Sequence, residues 1–390
     1  MTAEGRPLVS VIVPVYRHQP YLVPALESIL AFDYSPLEIV IQDDASPDDA
    51  FDVIQRVVDA YAGPHTVKIG KNETNLSMAN FNVLMEKASG DYIVAAHDDD
   101  IQYPDRISRI MDAFLTHDVS MVTSNSVRIA ANGDVIGPDK KAAEDRLIIA
   151  DEFAATGWSP FVYGAALSWH RDVFDQFGPI DINGTARASD WIIPYRASLL
   201  KGIYYLKSPA LSRRIHVNSR GAIGRNTDDQ DIFVVETHSE SITQLVYMLK
   251  TTQDALAGGM IGDAKHQSLA ASIQELIVRN SQHVARARNR LHMRKLRATW
   301  IGHSAGAVTT SDVPNLGVTG DGMEILTPEG MMATLPKRLS TRRKIVKAVK
   351  GTPWYWVALK NPLGIRYWWA VRRLQREFRQ VMMGQQPNNE

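Results

Sequence analysis

Three consecutive carboxylates, Asp98-Asp99-Asp100, close the stretch Gly90–Asp100, and Pro104 follows shortly after. Charges packed this closely raise one another's pKa unless a cation neutralises them. A divalent ion that prefers hard oxygen ligands, Mg2+ or Mn2+, meets that need, and such ions commonly hold substrate phosphates as well. A solvated acidic loop is the plainer explanation of any charge cluster. Here, however, the residues before it read as a buried strand, and open α/β sheets bind ligands beyond the carboxyl ends of their strands. A second pair, Asp43-Asp44, ends another apolar run in the same way.

Holding such loops at one edge requires a particular order of elements. Residues 8–15 (LVSVIVPV) form a β-branched run that predicts a strand, and Pro20 opens a helix with Leu22, Leu26, Ile29 and Leu30 on one face. A second strand, 37–42, ends at Asp43-Asp44. Ser46-Pro47-Asp48-Asp49 then predicts a helix start with serine as N-cap and acids in the first turn. A short strand at 67–69, a helix over 76–88 and a strand over 91–96 continue the alternation. Strand alternating with helix argues for a mostly parallel, doubly wound sheet flanked by helices, an α/β class.

Further along, the pattern predicts a helix from Ile107 to Phe114 and strands over 119–126, 161–168, 203–206 and 211–215. Helices are expected around 171–177 and 190–200. Residues 219–231 are glycine-rich and polar, suited to a loop or lid. The expected organisation is an α/β domain over 1–230, a helical region over 231–302, a linker or small subdomain over 303–336, and a basic, aromatic-rich helical tail over 337–390.

The chain has 390 residues, a formal net charge of zero and no cysteine, which excludes disulfides and thiolate metal sites. The neutrality hides an asymmetry: 337–380 holds 13 Lys/Arg against one acid, Glu377. Four of the eight tryptophans lie in that tail, Trp354, Trp356, Trp368 and Trp369. Aromatic rings among basic residues suit an anionic membrane surface, and they equally suit a helical hairpin docked on an acidic body. Nothing else in the chain supports nucleic-acid binding. The first residues lack the pattern of a signal peptide and no apolar run is long enough to span a bilayer. A cytoplasmic location is expected, with peripheral association at the inner face of the membrane as its extension.

Five segments fall in register: VSVIVPVYRHQPYLVPALESIL, EIVIQDDASPDD, NLSMANFNVLMEKASGDYIVAAHDDDIQYPDRI, FVYGAALSWHRDVFDQFGPID and ASDWIIPYRASLLKG. Together they closely resemble the inverting glycosyltransferases of family 2, with the GT-A fold, across roughly residues 7–220.

The resemblance implies roles residue by residue. Pro14 and Tyr16 at the end of the first strand would flank the nucleotide, with the Tyr16 ring against uracil. Asp44 would accept the base N3–H, which uracil and thymine have and cytosine lacks. Asn82 would contact the donor or the sheet edge, while Ser77 stands where glycine is common. Asp99 aligns with the metal-binding aspartate of a DxD-type motif, Asp98 would face the ribose or the metal through water, and Asp100 would orient the loop or approach the acceptor. His97 replaces a commoner aspartate. Asp190 would be the general base that deprotonates the acceptor hydroxyl, with Trp191 beside it and Ser189 in place of the usual glutamate. Arg214-Ile-His216-Val-Asn-Ser219 resembles an RxHxxS element whose histidine would complete the metal shell or meet the diphosphate. With Arg213, Arg214 and Arg220 it would form an anion-binding lip.

The function implied is transfer of a sugar from a UDP- or dTDP-sugar, with Mn2+ or Mg2+, to a glycan or lipid-linked acceptor in bacterial surface polysaccharide synthesis. A nucleotidyltransferase would carry a Gly-rich, basic loop after the first strand, which Pro14–Gln19 lacks. A degenerate relative acting as a glycan-binding scaffold would have lost the metal or base aspartates, and both are present.

Overall fold

The computed structural model describes residues 5–17, 20–139, 143–180, 189–216 and 229–304; the side chains of 189, 190 and 295–304 fall outside that description. Met1–Ser304 form one compact unit. Residues 305–390, with most of the expected linker and all of the basic tail, lie outside the described residues.

The first strand, β1 (Val9–Val15), is the axis of the sheet. It pairs in parallel with β2 (Leu37–Asp43) on one side and β4 (Tyr92–Ala95) on the other, and β2 pairs in parallel with β3 (Thr66–Lys71). The side-chain period of two splits these strands between two cores. Val9, Val11, Val13 and Val15 face one layer with Ile39, Ile41 and Val94. Ile12, Val40, Ile93 and Ala95 face the other. Strands buried on both faces explain the near-continuous apolar runs in the sequence.

The first layer is built from α1 (Leu22–Leu30), α2 (Ala50–Asp59) and α4 (Arg106–Thr116). In α1, Leu22, Ala25, Leu26, Ile29 and Leu30 make the i, i+3, i+4, i+7, i+8 stripe of a core-facing helix. Each of the larger side chains contributes roughly 1.5–3 kcal/mol on burial. The other face carries α3 (Asn80–Lys87), which follows a 3-10 turn, together with α5 (Ala150–Thr156), α6 (Asp172–Phe177) and α7 (Ser189–Leu200). Two long helices, α8 (Gln230–Ala257) and α9 (Asp263–Ser304), share that core through Leu245, Met248, Leu269, Ile273 and Leu276. Among the described residues no helix is long and apolar enough to cross a membrane.

Beyond β4 the sheet is mixed. β5 (Ile101–Gln102), β6 (Met121–Ala130), β7 (Val135–Pro138), β8 (Arg146–Ile148), β9 (Ser168–His170) and β10 (Ile203–Ile215) complete ten strands, with main order β3-β2-β1-β4-β9-β6-β10-β5. β9 runs antiparallel to both its neighbours, β4 and β6. The strand expected over 161–168 is instead a 3-10 turn, Gly164–Ala166, leading into β9. The two strands expected over 203–215 are one, interrupted by bulges near Pro209 where it pairs with β6. The helix expected from Ser46 begins at Ala50. The Ser46 hydroxyl is spent elsewhere, accepting the Arg17 N–H at 2.8 Å across the strand ends.

Candidate active site

At the end of β4, Ala96 N–H still donates to Ile12 O at 3.0 Å, and the chain then leaves the sheet as His97-Asp98-Asp99-Asp100. The three carboxylates are crowded against protein rather than spread in solvent. Asp98 is partly buried, and the amides of Tyr16 and of Asp98 itself approach its carboxylate. Burial, with the charge of Asp99 second, nevertheless pushes its pKa up to about 8. Asp100, 2% exposed, accepts the Arg214 N–H at 2.8 Å. Burial and then Asp99 raise its pKa to about 6, while His97 pulls the other way. Asp99 Oδ2 lies 3.0 Å from His216 Nε2 at the end of β10.

One ligand atom each from His97, Asp99 and Asp100 lies within 4.8 Å of the other two. Two carboxylate oxygens and an imidazole nitrogen, in a loop where burial and then the charge of Asp99 raise the pKa of Asp98 and Asp100, fit a divalent cation of the Mn2+ or Mg2+ kind. The sequence pointed to Asp99 and His216 for this task. The fold adds His97 and Asp100, which chain order alone could not separate from their neighbours.

Alongside this loop, the ends of β1 and β2 form a second group. Pro14 lies in β1 opposite Gln42, and Tyr16 follows with 42% of its surface exposed. The Arg17 guanidinium lies 5.4 Å from the Tyr16 ring centroid, and Arg17 itself has φ +68°. Asp44 is buried. Its carboxylate accepts the Asn72 side-chain amide and the Leu76 and Ser77 N–H groups, all at 2.8 Å. The carboxylate expected at the base thus also anchors the 72–77 loop. Ser77 sits at φ +53°, the left-handed region that explains why glycine suits that position.

Three expected ligands are engaged elsewhere. Asn82 donates to Ile180 O at 3.0 Å and accepts from Ile180 N at 2.9 Å, so its amide pins the segment that precedes 181–188. Arg214 is buried and spends its guanidinium on main-chain oxygens of Asp99 (2.9 Å), Ala130 (3.2 Å) and Ala131 (3.0 Å), while packing 4.7 Å from the Tyr21 ring centroid. Arg213 pairs with Asp139 at 3.2 Å. Both guanidiniums of the expected anion-binding lip thus have protein partners, and its third arginine, Arg220, lies outside the described residues. Arg214 instead ties the acidic loop, α1 and the strand bearing His216 into one body.

Asp190 is the second residue of α7, its side chain outside the described residues, and Trp191 beside it is partly buried. Sequence reasoning missed Arg106, which is fully buried. It donates to Ala95 O at 3.0 Å and to the Gln102 side chain, directly behind the acidic loop. Burial lowers its pKa to about 10, with Asp100 among the groups opposing that fall. Its spacing with Ile110 and Phe114, i, i+4 and i+8, puts it on the buried face of α4. An arginine in an apolar stripe was the available signal.

The chain matches the family model described as glycosyl transferase family 2 over residues 10–178. An uncharacterized glycosyltransferase of a Nostoc species is 30% identical over 232 residues, covering 57% of this chain and 70% of the relative. An Escherichia coli UDP-Glc:alpha-D-GlcNAc-diphosphoundecaprenol beta-1,3-glucosyltransferase is 30% identical over 118 residues, 30% of this chain and 45% of the relative. This chain thus spans less than half of that second protein. Among solved structures, a mannosyltransferase from Pyrobaculum calidifontis, in complex with GDP-Man and Mn2+, superposes with a TM-score of 0.50. It shares 15% identity and covers 80% of this chain and 83% of that one. At that identity the likeness concerns the fold.

Proposed function

This chain belongs to glycosyl transferase family 2 and is a glycosyltransferase with the GT-A fold, and from that premise we propose that it is a metal-dependent, inverting enzyme using a UDP- or dTDP-sugar. The acceptor in this reading is a glycan or lipid-linked sugar of a bacterial surface polysaccharide. The observation that carries it is the convergence of His97, Asp99 and Asp100 beside an exposed tyrosine at the carboxyl end of a parallel β1/β4 pair. A diphosphate needs cationic charge and a pyrimidine needs a flat apolar surface. The two sites lie on adjacent strand ends.

In this mechanism Tyr16 stacks on the base and Asp44 accepts its N3–H. His97, Asp99, Asp100 and His216 would hold Mn2+ or Mg2+, which supplies neutralising charge for the leaving diphosphate. Asp190 takes the proton from the acceptor hydroxyl as its oxygen bonds to the anomeric carbon. The bond from that carbon to the diphosphate oxygen breaks on the opposite face, so configuration inverts. The pyrimidine preference and the lipid-linked acceptor draw support from the Escherichia coli relative, whose name contains both UDP-Glc and diphosphoundecaprenol.

A thermal-shift titration with UDP, dTDP, GDP and CDP, each with and without Mn2+, tests the donor class. At a nucleotide concentration of about 100 times Kd, linkage adds roughly 2.7 kcal/mol, or about 5 °C for a unit of this size. A Mn2+-dependent rise with UDP or dTDP is the expected result. A rise with GDP alone would replace the pyrimidine assignment, and no rise with any nucleotide would leave a scaffold protein that has lost its donor site.

Metal binding is also expected to depend on pH. Carboxyls with raised folded-state pKa values are protonated in the folded chain below about 6 for Asp100 and about 8 for Asp98. Without metal, both groups cost stability as pH rises from the normal carboxylate range through those values, because the unfolded chain ionises them more readily. A cation held by Asp100 must displace its proton, so apparent Mn2+ affinity is expected to increase by up to about tenfold per pH unit between roughly pH 4 and 6 and to level off above that. Calorimetry in two buffers of different ionisation enthalpy measures the proton release directly. Affinity that stays flat across this range would contradict the assignment.

A further inference from the structure

Asn72 touches the carboxylate of Asp44, and the fold fixes from two sides which way its side-chain amide points. The chain of contacts starts on α3. The Lys87 ammonium, at the end of that helix, donates to Gln42 Oε1 on the buried strand β2. An ammonium can only donate, so the Gln42 amide presents Nε2 to its next neighbour. That neighbour is Asn72 Oδ1, at 2.7 Å. Asn72 therefore turns Nδ2 the other way, to Asp44 Oδ1 at 2.8 Å and Asn80 Oδ1 at 3.0 Å. Asn80 imposes the same direction independently. Its Nδ2 donates to the main-chain oxygen of Gln42 at 3.3 Å, which leaves its side-chain oxygen for Asn72.

The fold keeps room for this relay. Gly70 of β3 lies opposite Gln42 in the sheet, and a Cβ there would overlap both the Gln42 amide oxygen and the Lys87 ammonium. At the other end, Asp44 Oδ1 accepts from Asn72 and from the Leu76 N–H, and Oδ2 accepts from the Ser77 N–H. With two lone pairs per oxygen, the described residues leave one acceptor position unfilled, on Oδ2. Every neighbour of the carboxylate is a donor, as an accept-only group requires.

We infer, on the assignment of Asp44 to the base N3–H, that Asn72 is a specificity-determining positioning residue, its amide directed by Lys87 through Gln42. It holds Asp44 as a pure acceptor, so that the site takes uracil or thymine and rejects cytosine. A base with N3–H donates to Oδ2. Cytosine offers a lone pair at N3 instead, and two acceptors left facing each other in a desolvated site both go unpaired. An acceptor in place of Asn72 Nδ2 undoes this selectivity. With aspartate at 72 the two facing carboxylates share a proton, Asp44 ceases to be a pure acceptor, and the bar against cytosine falls.

Calorimetric titration of the full chain with UDP and with CDP, in Mn2+, is the test. The two nucleotides carry the same ribose and diphosphate, so their affinity ratio cancels changes in charge or metal binding. Wild type is expected to prefer UDP by about 30-fold. Asn72→Asp should cut that ratio to about threefold or less. Asn72→Leu removes a donor without adding an acceptor, so it should weaken both nucleotides and keep the ratio within about threefold of wild type. Lys87 is exposed, and its variants probe the relay from outside the core. Lys87→Glu turns the Gln42 amide around and should lower the ratio by at least about threefold, while Lys87→Arg, still a donor, should keep it. A merely structural role would lower both affinities in proportion in every variant. A wild-type ratio in Asn72→Asp or in Lys87→Glu, or a collapse in Asn72→Leu as deep as in Asn72→Asp, would overturn the inference and leave the Asp44 assignment standing. A wild type that does not favour UDP, or an Asp44→Asn variant that keeps the ratio, would overturn that assignment and the inference with it.

Discussion

Asp99→Asn is expected to lower transfer by roughly a thousandfold and to abolish the Mn2+-dependent thermal shift, while making the metal-free protein more stable. The three effects share one cause. Asp99 Oδ2 meets His216 at 3.0 Å and its oxygens lie among the ligand atoms of His97 and Asp100. Asparagine keeps the shape and removes the charge, so the cation loses its central anionic ligand. The same charge is the second-largest cause of the raised pKa at both Asp98 and Asp100. Without it, these carboxyls ionise at lower pH, and the cost of holding them charged at neutral pH falls. Thermal unfolding in chelator should therefore move upward in the variant. A purely structural Asp99 would give the reverse, a lower unfolding temperature with Mn2+ sensitivity intact.

Asp190→Asn is expected to reduce kcat by about 10²–10⁴-fold and to leave nucleotide affinity where it was. The residue sits in the first turn of α7, on a different element from the strand ends that hold Tyr16, Asp44 and the acidic loop. An amide cannot accept the acceptor proton, yet it fills the same space. Single-turnover rates and nucleotide-induced thermal shifts on the same preparation separate the two quantities. A rate within about tenfold of wild type would move the base to another residue. Loss of nucleotide binding along with the rate would make Asp190 a structural support of the donor site.

These two variants also mark where the sequence was informative. Strand ends rich in aspartate are visible locally, because an apolar run that stops at a carboxylate needs no knowledge of distant residues. The β1–α1–β2–α2 alternation and the placement of Asp43-Asp44 and Asp98–Asp100 at one sheet edge came from such local patterns, while the attention to Ser77 came from the family resemblance. The helix start misplaced at Ser46 shows the limit even there: its hydroxyl found a donor in Arg17, 29 residues away, before it could cap anything.

What the chain alone determined is therefore the chemistry on offer: carboxylates at strand ends, an aromatic beside them, and a histidine after the last strand. What only the tertiary structure decided is which polar groups remain available for it. Arg214 and Asn82 look like ligands in sequence, and their partners, 83–115 residues away for Arg214 and 98 for Asn82, turn them into struts. His97 and Asp100 look incidental, and the turn after β4 brings them within reach of Asp99. The physical reason is that a buried donor or acceptor must be satisfied by whatever the fold places beside it. That neighbour is set by sheet order and strand register rather than by adjacency along the chain.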